Sequence, residues 1–157
     1  MKYGLSVFSL GSYCYLNDKD DCDKTVETAK LIHAPVIRVW AGRIGSATCD
    51  EKNYASLVEH ARYMADKANA SGIKLGFEYH RNSLTDTAES AIHLIKNIDR
   101  ENVKLYWQPS SSLSFEENLR EFNMVKPYLC GNLHFQNYTP ERGFRPCAEV
   151  KDAIKGY

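Results

Sequence analysis

Acidic, amide and imidazole side chains lie at the ends of short apolar segments in this chain of 157 residues. The residues concerned are Glu78, His80, Gln108 and His134, with Arg38 and Trp40 at the end of a further segment. Carboxylate oxygens, amide oxygens and imidazole nitrogens are all ligands of divalent cations. Their recurrence at segment ends therefore predicts a candidate site where a cation and a polar molecule could be held together.

Structural roles are the alternative for each of these residues. Glu78 and His80 could be ordinary residues of a sheet rim. Gln108 precedes Pro109 in a strand-ending turn, which suits a structural hydrogen bond. His134 lies between Leu133 and Phe135, which suits a buried histidine whose ring nitrogens are hydrogen-bonded within the protein.

The elements that would position this site alternate regularly between strand and helix. Apolar runs predict strands over 3–10, 36–40, 73–79, 103–107 and 129–135. Helical periodicity predicts helices over 21–32, from Asp50 or Asn53 to about 72, from about 86, from 114 to about 126, and over 147–155. Such alternation is typical of parallel βαβ units and predicts an α/β fold, either an open doubly wound sheet or a barrel.

Two of the helix starts carry a specific capping prediction. Asp86 is followed three residues later by Glu89, and Ser114 is followed three residues later by Glu117. Both pairs have the spacing of a capping box. In this motif the side chain of the N-cap residue accepts from the backbone N–H of the residue three positions later, and the side chain of that residue accepts from the backbone N–H of the N-cap residue.

Alternation along the strands separates a polar face from an apolar one. In segment 73–79, Leu75 and Phe77 share one face, and Gly76 and Glu78 share the other. A parallel sheet covered by helices on both faces would be apolar on both. A barrel interior that opens into an active site at the carboxyl ends of its strands fits the pattern better.

The overall composition narrows the functional classes. Twenty basic and twenty acidic residues give a formal net charge of zero, which disfavours nucleic acid and anionic membranes as partners. The five cysteines form no CxxC pair, which disfavours a structural zinc site. The chain has no signal sequence and no apolar run of 18 residues, so we expect a reduced, cytoplasmic protein. No GxGxxG or P-loop follows a strand, which weakens a nucleotide-binding function.

Three segments resemble a known family. Segment 76–87 (GFEYHRNSLTDT) resembles the fifth-strand segment of the xylose isomerase-like sugar phosphate isomerase/epimerase superfamily. Segment 37–42 (IRVWAG) resembles the preceding strand, and segment 130–135 (CGNLHF) resembles the seventh. The resemblance implies a single domain over 1–157, an incomplete (β/α) TIM-type barrel that contains about five of eight parallel strands.

The resemblance also implies a ligand set for a divalent metal, which could be Mn, Mg, Co or Zn. Glu78 takes the first ligand position and His134 the third. The second position, normally an aspartate, falls on Gln108, which offers an oxygen without charge. The fourth ligand of the family is a glutamate on the eighth strand, which lies outside this sequence.

The chemistry implied is that of a sugar or sugar-phosphate isomerase or epimerase, in which proton transfer next to a carbonyl is assisted by the metal. Glu78 would be the catalytic base as well as a ligand. The residues expected to contact the substrate are Arg38, Trp40, His80 and Lys104. We expect this chain by itself to be catalytically incomplete and to self-associate through open sheet edges.

Two other functions remain open at this point. One is a non-catalytic carbohydrate-binding or regulatory relative on the same fold, in which Gln108 marks a lost metal. The other is a DNA-repair endonuclease, an activity of a related barrel, which the lack of a basic surplus disfavours.

Overall fold

The chain alternates short strands with longer helices, as the sequence predicts. The computed structural model describes residues 3–136, 146–150 and 155. The strands are β1 (Leu10–Gly11), β2 (Val36–Val39), β3 (Lys74–Glu78), β4 (Val103–Trp107) and β5 (Leu129–Leu133). The helices are α1 (Lys19–Leu31), α2 (Glu51–Asn69), α3 (Ala88–Ile98) and α4 (Phe115–Val125), and two short 3₁₀ turns cover Lys126–Tyr128 and Cys147–Val150.

All described strands join in one parallel sheet with the spatial order β1-β2-β3-β4-β5. A doubly wound sheet reverses its strand order at a switch point, whereas a barrel adds each strand beside the last. The observed order contains no reversal. The structure is therefore a half-barrel of the TIM type, which confirms the predicted fold class and decides against the open doubly wound sheet.

Each of the helices α1 to α4 has a side-chain N-cap. Asp18 accepts from the Asp21 N–H at 2.8 Å and caps α1, and Asp50 accepts from the Asn53 N–H at 2.7 Å and caps α2. The capping box of Ser114 on α4 is confirmed in both directions. Each satisfies a backbone donor that has no partner inside its own helix.

The predicted capping box at Asp86 is wrong. Thr87 takes the N-cap position of α3, and its hydroxyl accepts from the Ser90 N–H at 3.2 Å. Both residue types are good N-caps, so the sequence could not decide between neighbours. The consequence is that the Asp86 carboxylate is available for another role.

The core lies between the sheet and its helices, on the face that alternation predicts to be apolar. Leu75, Phe77, Leu105 and Trp107 are fully buried there. The Trp107 ring packs edge-on against Phe122 of α4, with ring centroids 5.1 Å apart. Burial of this apolar surface fixes the sheet face toward the helices, so the alternate residues must point into the half-barrel.

The first predicted strand is much shorter than expected. The prediction over 3–10 is wrong for all but its end, because β1 is only Leu10–Gly11 and Tyr3, Leu5 and Phe8 are more than two-thirds exposed. Leu10 pairs with Ile37, and β2 begins at Val36, one residue before Ile37. Residues before position 9 therefore have no β2 backbone opposite them, and an apolar pattern alone does not make a strand.

The other end of the sheet also differs in detail. β5 ends at Leu133 and not at 135, although the His134 N–H still donates to the Trp107 carbonyl at 2.8 Å. Of the final predicted helix over 147–155, the structure describes the 3₁₀ turn Cys147–Val150 and residue 155, while 151–154 lie outside the described residues. None of the helices within the described ranges is long and apolar enough to cross a bilayer.

Candidate active site

Three predicted ligands meet at the carboxyl ends of β3, β4 and β5. Glu78 ends β3, Gln108 follows β4 and His134 follows β5. The His134 Nδ1 atom lies 3.2 Å from the Gln108 Oε1 atom and 3.6 Å from the Glu78 Oε1 atom. The sheet register brings them together, because Glu78 pairs with Tyr106 and Trp107 pairs with Leu133.

The Glu78 carboxylate is buried, with 4% of the residue exposed. Its Oε2 atom lies 3.3 Å from the Arg38 Nε atom, and neither atom makes a hydrogen bond to any described residue. The two groups therefore form an ion pair in which the guanidinium N–H is not aimed at the carboxylate. Arg38 is held instead by the Ser12 carbonyl, to which its Nη2 atom donates at 3.1 Å.

Aromatic rings line the side of the site that belongs to β2. Trp40 packs on His80 with ring centroids 4.2 Å apart, and Tyr13 stacks on Trp40 at 6.4 Å with a 22° angle between the planes. Tyr13 is 73% exposed, so its ring extends the wall toward solvent. His80 donates from Nδ1 to the Arg81 carbonyl at 2.7 Å, since a carbonyl can only accept, and Nε2 is its free nitrogen with respect to the described residues.

Lys104, one of the predicted substrate-binding residues, lies nearer the amino ends of the strands than Glu78. It pairs with Gly76, whereas Glu78 pairs with Tyr106, so Lys104 begins two residues nearer the amino ends of the strands. That is about 7 Å along the sheet. Its side chain is on the same inner face, one layer below the carboxylate.

Small and neutral groups form the floor beneath Glu78. A Cβ atom on Gly76 would lie 3.3 Å from both Cys130 Sγ and the Tyr106 side chain, so these neighbours already close around the glycine and would have to shift to admit even a methyl group. Burial raises the pKa of the Cys130 thiol. A raised pKa favours the protonated thiol over the thiolate.

The loop after β3 is held by buried hydroxyl groups. Ser83 and Thr85 are fully buried, and their hydroxyls lie 2.9 Å apart. Thr85 donates to the Glu78 carbonyl at 2.5 Å, and Ser83 donates to the His80 carbonyl at 2.6 Å. These bonds fix the backbone around Glu78 and hold the loop in one conformation.

Asp86 is a site residue that sequence reasoning assigned only to a helix cap. Its Oδ2 atom accepts from the Ser46 N–H at 3.0 Å, and its Oδ1 atom is buried without a hydrogen-bond partner among the described residues. Asp86 lines the same cavity of about 280 Å³ as Glu78, His80 and Gln108. The sequence offered one indication of this role, because Asp86 follows the strand segment that ends in Glu78. Only the fold shows that Thr87 and not Asp86 caps α3.

Known families and structures agree with this architecture. The model of the family described as xylose isomerase-like TIM barrel matches residues 3–146, which is most of the chain. The chain belongs to the xylose isomerase-like TIM barrel family. The resemblance of the three sequence segments is thereby confirmed.

Members of the xylose isomerase-like family with different activities are similar to this chain. The 3-dehydroshikimate dehydratase of Bacillus anthracis is 23% identical over 85% of this chain and 50% of its own length. A xylose isomerase-like TIM barrel protein from Mycobacterium smegmatis, solved with magnesium, has a TM-score of 0.73 and 16% identity, covering 97% of this chain and 62% of its own. The 3-keto-D-glucoside 4-epimerase of E. coli has a TM-score of 0.73 and 14% identity, covering 98% and 68%.

The chain spans about half the length of the curated relative that it matches. At identities below 25%, these likenesses show a shared fold, and a shared fold does not fix a reaction. The reaction has to be argued from the side chains in the half-barrel.

Proposed function

We propose that this chain carries part of the active site of a sugar or sugar-phosphate isomerase or epimerase, which moves a proton at the carbon next to a carbonyl group with the help of a divalent cation. The observation that supports it most is the convergence of Glu78, Gln108 and His134 from three adjacent strands. Epimerases and dehydratases both occur among the similar proteins, and both reaction types can begin by removing such a proton.

The three side chains fit a divalent cation in spacing. Ligands bound about 2.1 Å from one ion at right angles are about 3 Å apart. The distances of 3.2 and 3.6 Å from His134 Nδ1 to its two oxygen neighbours are close to that. Among the described residues no group of three or more His, Cys, Asp or Glu is arranged for a metal, so the fit depends on the Gln108 amide oxygen. When bound, the cation would draw electron density from the substrate carbonyl.

The protein's own groups divide the work around Glu78. Its Oε1 atom faces His134 and would hold the cation, while Oε2 has no hydrogen-bond donor among the described residues and is the atom we assign to accept the substrate proton. The guanidinium of Arg38, 3.3 Å from Oε2, supplies a counter-charge to this buried carboxylate. Trp40 would pack against the C–H face of a sugar ring, and the free nitrogen of His80 would bond a hydroxyl.

Calorimetric titration with Mn²⁺ tests the proposal first, on the chain and on Glu78→Ala. Saturable binding that disappears in the variant would support a metal site at Glu78. The second measurement is exchange of the proton next to the carbonyl of a ketohexose in D₂O with Mn²⁺ present, followed by NMR. Exchange needs only removal and return of a proton at one carbon and not the whole reaction that this chain is expected to lack. Exchange that Glu78→Gln abolishes is therefore expected, and exchange that continues unchanged in the variant would contradict the proposal.

A non-catalytic relative is the second candidate, and two observations favour it. Glu78 is the only anion of the three donors, and the cation Arg38 lies 3.3 Å from its other oxygen. Both features lower the affinity for a metal. If the chain binds no Mn²⁺ but Gln108→Asp does, the fold would retain a metal-ready geometry from which a charge has been lost, and a carbohydrate-binding role would be the better assignment.

A further inference from the structure

The cavity at the ends of β3 and β4 contains a second carboxylate besides Glu78. Asp86 lines it together with Gln108 and the serines at 110–112. Its volume of about 280 Å³ is just below the usual range for ligand sites. Most of its lining side chains are amide, hydroxyl and carboxylate groups, which suits a small ligand that both donates and accepts hydrogen bonds.

One oxygen of Asp86 is hydrogen-bonded, and the other has no hydrogen-bond partner among the described residues. The Ser46 N–H bonds its Oδ2 atom at 3.0 Å, and Gly45 lies so close that a Cβ atom there would be 3.0 Å from the same oxygen. The Oδ1 atom is buried and has no partner among the described residues. A buried carboxylate oxygen without a donor is costly, and a ligand hydroxyl in the cavity would remove that cost.

Charge decides which ligand the cavity favours. Glu78 has Arg38 as its counter-charge, but within the described part of the chain no lysine or arginine pairs with Asp86. Arg81 also lines the cavity, but it is exposed to solvent. A phosphate or carboxylate placed beside Asp86 would meet an uncompensated negative charge, whereas a neutral hydroxyl would donate to it.

We infer that Asp86 accepts a hydrogen bond from a neutral polyhydroxylated ligand in this cavity and disfavours phosphorylated analogues at that end. The inference rests on the proposed function, because it takes the cavity next to Glu78 as the place where the substrate binds. It adds a specificity residue that the ligand set of Glu78, Gln108 and His134 does not contain.

The test is binding of D-fructose, D-tagatose and fructose 6-phosphate, measured by NMR titration with Mn²⁺ present. Asp86→Ala should weaken binding of the neutral ketohexoses about 10-fold to 100-fold, the range for losing a hydrogen bond to a charged group. Asp86→Asn keeps the size of the side chain and should narrow the preference for fructose over its 6-phosphate. Asp99→Asn is the matched control, an exposed acid-to-amide change at a residue with φ of 52°, and should leave every affinity unchanged.

Other results would overturn the inference. The inference would be wrong if wild type and Asp86→Asn bound each of the three sugars with equal affinity. It would also be wrong if the wild-type chain bound neither neutral ketohexose in a saturable way. Loss of Mn²⁺ binding in Asp86→Asn would make Asp86 a metal ligand and not a hydroxyl acceptor. Failure of the proposed function looks different, because proton exchange would then be missing in the wild type while ketohexose binding still depended on Asp86.

Discussion

Replacement of Arg38 by methionine tests whether the Glu78 carboxylate is a buried charge that depends on one counter-ion. Glu78 and Arg38 side chains are 5% and 15% exposed, and their nearest charged atoms are 3.3 Å apart. At an effective dielectric constant of about 20, unit charges at that distance attract by roughly 5 kcal/mol before desolvation is subtracted. Removing one partner of a buried pair costs about 3–5 kcal/mol, because the other charge is left without compensation.

The loss of stability expected for Arg38→Met lies at the lower end of this range. The Arg38 Nε and Glu78 Oε2 atoms make no hydrogen bond to each other, so less is lost than in a hydrogen-bonded pair. A cost of about 3 kcal/mol corresponds to a melting temperature lowered by about 6–12 °C in a domain of this size. The double variant Arg38→Met/Glu78→Gln should recover most of the loss, because no buried charge then remains.

Thermal and urea unfolding of the two single variants and the double variant measure this coupling. Arg100→Met is the matched control, since it breaks an exposed pair with Asp66 at 2.6 Å and should leave the melting temperature nearly unchanged. A bound cation would neutralise the carboxylate left by Arg38→Met, so Mn²⁺ should raise the stability of this variant more than that of the wild type. Strictly additive single-variant effects, or an Arg38→Met as stable as wild type, would refute the reasoning.

Four further perturbations test the elements that position the site. Ser114→Ala removes the cap of α4 and should cost about 1 kcal/mol in urea unfolding. The Ser114 backbone N–H, together with the Ser114 hydroxyl, holds the pKa of Glu117 below its ordinary value. The Glu117 carboxylate therefore stabilises the fold at pH values above its unfolded pKa, and this contribution is lost as the pH falls through the lowered folded pKa. Below that pH the difference in stability between wild type and Glu117→Gln should vanish. Thr85→Val removes a fully buried hydroxyl and should cost about 1–3 kcal/mol. Phe122→Ala removes the ring that packs 5.1 Å from Trp107 and should cost about 3–5 kcal/mol.

Exposed positions provide controls for these variants. Ser112→Ala lies outside the capping box and Thr48→Val removes an exposed hydroxyl, so both should be near neutral. A Thr85→Val protein as stable as Thr48→Val would show that the loop after β3 is not held by its buried hydroxyls. A difference between wild type and Glu117→Gln that persists at acid pH would contradict the Glu117 prediction.

The alternation of elements and the two faces of each strand were predictable from the sequence. Both depend on local periods, since alternate strand residues point to opposite sides whatever the rest of the chain does. Phe77 and Trp107 are buried against helices, and Glu78 points into the half-barrel, as alternation predicts. The choice of Glu78, Gln108 and His134 as neighbours followed from family resemblance and from the meeting of parallel strand ends at one sheet edge.

Tertiary structure alone decided features that depend on partners distant in sequence. Residues 3–8 have the apolar pattern of a strand but no β2 backbone opposite them, so β1 is confined to the end of the predicted strand, at Leu10–Gly11. The choice of Thr87 over Asp86 as the cap of α3 depends on the Ser46 N–H, which is 40 residues away from the carboxylate it binds. A local pattern shows which face a side chain lies on, but only the packed sheet sets which distant atoms come within hydrogen-bond distance of it.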